Sequence, residues 1–121
     1  MAAAPGPVSP MKDALWSLEF ISGDKTFAAG VAIFENDRVF GGDSQYYFLG
    51  TYRLSANFIT GDLEVTHYNG PAYPFLGRAK TFSLIISGPF EDPVMELQAN
   101  VAESKSKELR VRLTRRAEWP S

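Results

Sequence analysis

Few side chains in this sequence are equipped to make or break bonds. His67 is the only histidine and cysteine is absent. That excludes a metal site built from several histidines or thiolates, a thiolate nucleophile and a disulfide framework. A serine activated by His67, with Asp43 or Asp62 orienting the imidazole, is the one triad the composition allows. No G-x-S-x-G elbow presents such a serine, and His67 reads more simply as a polar strand end. A phosphate-cradling Walker loop, a dinucleotide fingerprint and an aromatic-basic ribonucleoprotein motif are missing too. The chain is therefore expected to be no enzyme, with no catalytic residue, no metal and no cofactor.

Two charged clusters could contact a partner. Glu91-Asp92 stands between Pro89 and Pro93, where it could meet a cation or a basic protein, although adjacent loop carboxylates are usually just solvated. Lys105, Lys107, Arg110, Arg112, Arg115 and Arg116 hold half of the twelve basic residues within twelve positions. Arg110 and Arg112 alternate with Leu109, Val111 and Leu113, so the basic residues share one strand face and the apolar ones the other. A patch for acidic groups and a solvated outer face both fit this pattern, and the second is favoured. The net charge of -2 gives no overall basic field, so direct nucleic-acid binding is not expected.

The aromatic residues carry more information. Trp16, Phe20, Phe27, Phe48, Phe82 and Met95 fall at inward positions, where large rings and a methionine suit either a solid core or an adaptable ligand cavity. Tyr46, Tyr47, Phe48 and Tyr52 put aromatics on both faces of one strand. Tyr47 and Leu49 on its outer side, beside Phe34 from the second strand, are assigned to a dimer or partner surface.

The elements that must position these groups are strands. From Leu15 onward apolar residues recur at every second position, and turn residues interrupt about every eight to twelve. Trp16, Leu18 and Phe20 form one face of the first strand, and Phe27, Ala29, Val31 and Ile33 the matching face of the second. Paired glycines at Gly41-Gly42-Asp43 suggest a tight turn. Gly50 and Gly61 suggest bulges or corners. Asn69 to Gly77, with Pro71 and Pro74, must be an irregular connection, with room for one helical turn. Phe82, Leu84 and Ile86, then Met95, Leu97, Ala99 and Val101, then Leu109, Val111 and Leu113 complete the series, with a last turn at Ser104 to Lys107. About eight short strands with brief connections predict an all-β, eight-stranded antiparallel up-and-down barrel, because closure removes exposed sheet edges. A two-sheet sandwich is the alternative. A barrel of this size can be filled by side chains or hold one small ligand.

At 121 residues the chain suits one domain. Residues 1–12 read as a disordered extension, because MAAAPGPVSP is proline-rich and poor in large apolar groups. Residues 13–116 form the barrel and 117–121 a tail. No run approaches the roughly 18 apolar residues of a membrane span, and the opening lacks the features of a signal peptide. A cytoplasmic protein with no membrane association is expected.

Met11-Lys12-Asp13, Phe20-Ile21-Ser22, Gly41-Gly42-Asp43, Gly50 and Tyr68-Asn69 together resemble the GrlR family, negative regulators of type III secretion, over nearly all of Met11 to Arg115. The resemblance implies a lipocalin-like barrel that forms a homodimer, encloses an apolar cavity able to hold a lipid-like molecule, and represses by sequestering a helix-turn-helix transcriptional activator. One departure stands out. The best known member has four consecutive acidic residues in the turn after the strand containing Gly50, and these engage the activator's basic surface. This chain has Leu54-Ser55-Ala56-Asn57-Phe58 there, so any electrostatic handle must lie elsewhere. A carrier or sensor of a small apolar ligand is the second reading. An enzyme of lipid or sugar chemistry on such a scaffold is the third.

Overall fold

Alternating burial along one strand after another makes this chain a single curled sheet. The computed structural model describes residues 13–101 and 109–118. Within them lie β1 (Ala14–Ser22), β2 (Lys25–Glu35), β3 (Arg38–Gly42), β4 (Tyr46–Ser55), β5 (Phe58–His67), β6 (Thr81–Pro89), β7 (Val94–Val101) and β8 (Leu109–Glu118). Each strand pairs antiparallel with the next, and β8 returns to β1, closing the barrel. This is the expected eight-stranded up-and-down, lipocalin-like topology; the sandwich does not form. Among the described residues no helix is long and apolar enough to cross a membrane. Residues 1–12, the Ser104–Lys107 turn with Lys105 and Lys107, and residues 119–121 lie outside the described residues.

The alternation dictates which side faces in. On β1, Ala14, Trp16, Leu18 and Phe20 are buried while Leu15, Ser17 and Glu19 are half-buried. Two-residue turns at Asn36-Asp37 and Ala56-Asn57 hold both central residues at positive φ (53° and 71°, 52° and 64°), the geometry whose twist matches a hairpin. The β5–β6 connection contains one short 3₁₀ turn, Pro74–Leu76 (η1), as the proline spacing allowed.

Four sequence expectations require correction. First, β2 changes face. Glu19 pairs with Ala29 but Phe20 pairs with Phe27, so the ladder skips Ala28, and one extra residue reverses every side chain beyond it. Ala32 and Phe34 therefore point inward, with Phe34 0% exposed, whereas Val31 is 45% exposed. Phe34 is a core residue and no part of an outer surface. Second, Gly41 and Gly42 stay within β3, and the turn is built by Asp43, whose Oδ1 accepts from Gln45 N at 2.8 Å and Tyr46 N at 2.8 Å. Third, the register runs unbroken through Gly50 and Gly61. Gly61 clears space instead, since a Cβ there would lie 2.8 Å from Ile86 Cγ1. The bulges sit at Ala28 and at Arg116, which is skipped between the Leu15–Ala117 and Trp16–Arg115 pairs. Fourth, β8 continues to Glu118, two residues past the expected end of the barrel.

Candidate functional site

The interior is nearly solid. Trp16, Phe20, Phe48, Phe82 and Met95 are all buried, and Phe27 is half-buried at one rim. They do not surround one chamber. Only Phe20 and Phe48 of this set line an internal cavity, together with Leu18, Phe34, Tyr46 and Asp43 among others, and its volume is about 20 Å³. That is room for about one water molecule, far below the roughly 300–1,000 Å³ of a small-molecule pocket.

A run of rings closes each end of the barrel. At the end holding the N-terminus of β1, Tyr52, Phe34, Trp16 and Phe90 meet edge to face, with centroids 5.2, 6.0 and 6.4 Å apart in succession. Trp16 Nε1 is buried there with no hydrogen-bond partner among the described residues. At the opposite end residues 68–80 fold across the mouth. His67 stacks on Tyr46 at 4.7 Å, Tyr46 on Tyr73 at 5.0 Å, Tyr73 on Phe75 at 5.3 Å, and Phe75 meets Phe27 at 4.9 Å.

Polar bonds fasten this second closure, and Asp43 is their centre. While Oδ1 shapes the β3–β4 turn, Oδ2 accepts from Tyr73 Oη at 2.9 Å. The Asp43 carbonyl accepts from Tyr68 Oη at 2.6 Å, Asn69 Nδ2 donates to Ser44 O at 3.2 Å, and Gln45 Nε2 donates to Pro71 O. Burial, followed by the bond to the Asp43 carboxylate, pushes the Tyr73 hydroxyl well above its ordinary value of 10.0. Burial also raises Tyr46, partly offset by the Tyr73 N–H donating to its oxygen at 3.0 Å. His67 faces carbonyls at Asn69 (3.0 Å) and Gly70 (2.7 Å), which fixes Nε2 as a donor. It is a strand-end tie holding this segment.

The outer surface divides into two walls. On β7, β8 and β1, Arg112 bridges Glu19 and Glu96 at 3.2 Å each, and Arg110 reaches Glu96 at 2.8 Å. Arg115 binds Asp92 at 2.8 Å and Arg116 donates to Ser17 Oγ at 2.9 Å. The arginines of the basic run are thus engaged internally, and Asp92 of the Glu91-Asp92 pair is spent on Arg115. The wall made by β2 to β5 is the reverse. Register places Val31, Gly42, Tyr47 and Thr66 in one outward row and Ile33, Phe40, Leu49 and Glu64 in the next. Val31 is 45%, Tyr47 44% and Leu49 57% exposed, with Tyr68 beside Tyr47 at 5.8 Å. Asp62 and Glu64 are exposed along its edge and join no ion pair among the described residues.

Tyr47 and Leu49 therefore stand outside together as the alternation requires, whereas Phe34 does not. The β2 bulge added Val31 to the wall, which parity counting had placed inside. Tyr73 and Asp43, 30 residues apart, gave no sequence signal of their pairing. No curated protein matches this sequence. The family model described as T3SS negative regulator, GrlR, matches residues 11–119, and the chain belongs to the GrlR family.

Proposed function

We propose that this chain represses type III secretion genes in the cytoplasm by binding and sequestering a helix-turn-helix transcriptional activator, and that the β2–β5 wall is where the activator docks. The observation that carries this reading is the exposed set Val31, Tyr47 and Leu49 bordered by the carboxylates Asp62 and Glu64, which join no ion pair among the described residues. Apolar centres with aromatics and a charged rim are what protein interfaces are made of. The acidic edge supplies, on the strand following residues 54–58, the complement to a basic partner that those residues lack. The lipid-carrier reading has less support, because a chain-like ligand needs several hundred Å³ where about 20 Å³ is open.

Tyr47→Asp, co-expressed with the activator, tests the proposal by light scattering and co-purification. A charge at the centre of a desolvated patch is expected to abolish co-purification, while the chain's own mass in solution stays that of the unsubstituted chain. A fall in mass with the activator retained would make the wall a self-association surface and overturn the docking assignment.

A further inference from the structure

We propose that the Tyr73 end of the barrel is a binding site for a phenol-type ligand, a flat ring bearing one hydroxyl donor, and that the chain's own Tyr73 fills it in this structure. The receptor belongs to the barrel and not to the segment that carries Tyr73. Tyr46 on β4 gives a stacking face 5.0 Å from the Tyr73 ring with 22° between the planes. Phe20 on β1 supplies a side wall at 6.2 Å, and Asp43 Oδ2 accepts the hydroxyl at 2.9 Å. The carboxylate is in place before any ring arrives, because Oδ1 is held by the amides of Gln45 and Tyr46. Such preorganisation lowers the cost of binding.

The occupant is attached in a way that lets it leave. Tyr73 lies between Gly70 and Gly77, both at positive φ (69° and 82°), where glycine alone rotates freely. Of residues 68–80 only Leu76 is fully buried, so the ring can swing out without breaking a strand ladder. Phe20, Tyr46 and Asp43 also line the internal cavity, so the slot borders a void the size of about one water molecule.

Specificity follows from the acceptor. A phenylalanine would fill the same slot by area alone; an ionised carboxylate selects a hydroxyl, since hydrogen bonds to charged acceptors are roughly twice as strong as neutral ones. The same charge rejects aromatic carboxylates. Toluene should bind more weakly than 4-methylphenol and 4-methylbenzoate not at all. This inference stands apart from activator docking, which uses the opposite face of β4.

The test uses the full chain and these three probes, followed by amide shifts of Asp43 to Tyr46 and by hydrogen exchange across residues 68–80. Saturable binding of 4-methylphenol with faster exchange in residues 68–80 is expected. Tyr73→Ala should bind about tenfold tighter, because the internal competitor no longer reduces the binding-competent fraction. Tyr73→Phe, which keeps the ring and the packing, should gain by a smaller factor and serves if the alanine variant fails to fold. Asp43→Asn should erase the preference over toluene. Binding to Tyr73→Ala with none to wild type would mark an ordinary packing hole and overturn the proposal, as would equal affinities for 4-methylphenol and toluene.

Discussion

The two ends of this barrel are both closed by rings, yet by different physics. At the end of Trp16, Phe34, Tyr52 and Phe90 the rings meet edge to face, and Trp16 and Phe34 are at most 1% exposed. The β5–β6 end relies on a stack in which Tyr46 is buried but His67, Tyr73, Phe75 and Phe27 are half-buried, and whose position is fixed by hydrogen bonds to Asp43, Ser44 and Gln45. Apolar burial is lost only when the core opens, whereas a hydrogen-bonded seam exchanges with water bond by bond. The first end is therefore part of the fold's stability and the second a closure that can yield locally.

The largest expected effect sharpens that contrast. Trp16→Ala removes the centre of the apolar cluster and should cost about 3–5 kcal/mol in denaturant unfolding. Asp43→Ala, which frees two turn amides and the Tyr73 hydroxyl, should cost about 1–3 kcal/mol, with hydrogen-exchange protection lost first in residues 68–80. Equal costs for the two variants would break the distinction between the ends.

Alkali should act on the polar end next. The folded-state pKa of Tyr73 is raised above 10.0, by burial first and then by Asp43. Its contribution is thus fully present below pH 10 and is lost as pH rises from there toward the folded value. Tyr46 and Tyr52 shift in the same direction, mainly through burial. Tyr73→Phe should flatten the alkaline fall in denaturation midpoint more than Tyr52→Phe does. The reverse order would place the alkali-sensitive closure at the Trp16 end.

Much of the strand order was readable because each strand repeats apolar and polar residues at period two, as in Trp16-Ser17-Leu18-Glu19-Phe20. Parity failed where the pattern is ambiguous. In Phe27-Ala28-Ala29-Gly30-Val31-Ala32-Ile33-Phe34 either face is apolar, and the skipped Ala28 decides between them only through pairing with β1. Phe34 was misplaced, and Val31 overlooked as a surface residue, for that one reason. Tyr47 and Leu49 were placed correctly, since β4 has no bulge. The Asp43–Tyr73 bond was invisible because nothing local marks it: a proline-rich connection reads as a loop whether or not its rings turn back into the barrel. The basic run of β8 could not reveal its own neutralisation, whose carboxylates come from Glu19, Asp92 and Glu96.

The smallest expected effect tests whether the apolar end needs polar help. Arg115 and Asp92 pair at 2.8 Å with side chains 35% and 40% exposed, a setting in which ion pairs contribute little and are screened by salt. The Arg115 amide also donates to the Pro93 carbonyl at 2.8 Å, and that bond survives replacement of the side chain. Arg115→Ala should therefore lower stability only slightly, with the difference from wild type vanishing near 1 M salt. A larger, salt-insensitive loss would mean that the Asp92 loop is what holds Phe90 against Trp16. In that case both ends of the barrel would depend on a carboxylate, and the contrast between them would be one of degree.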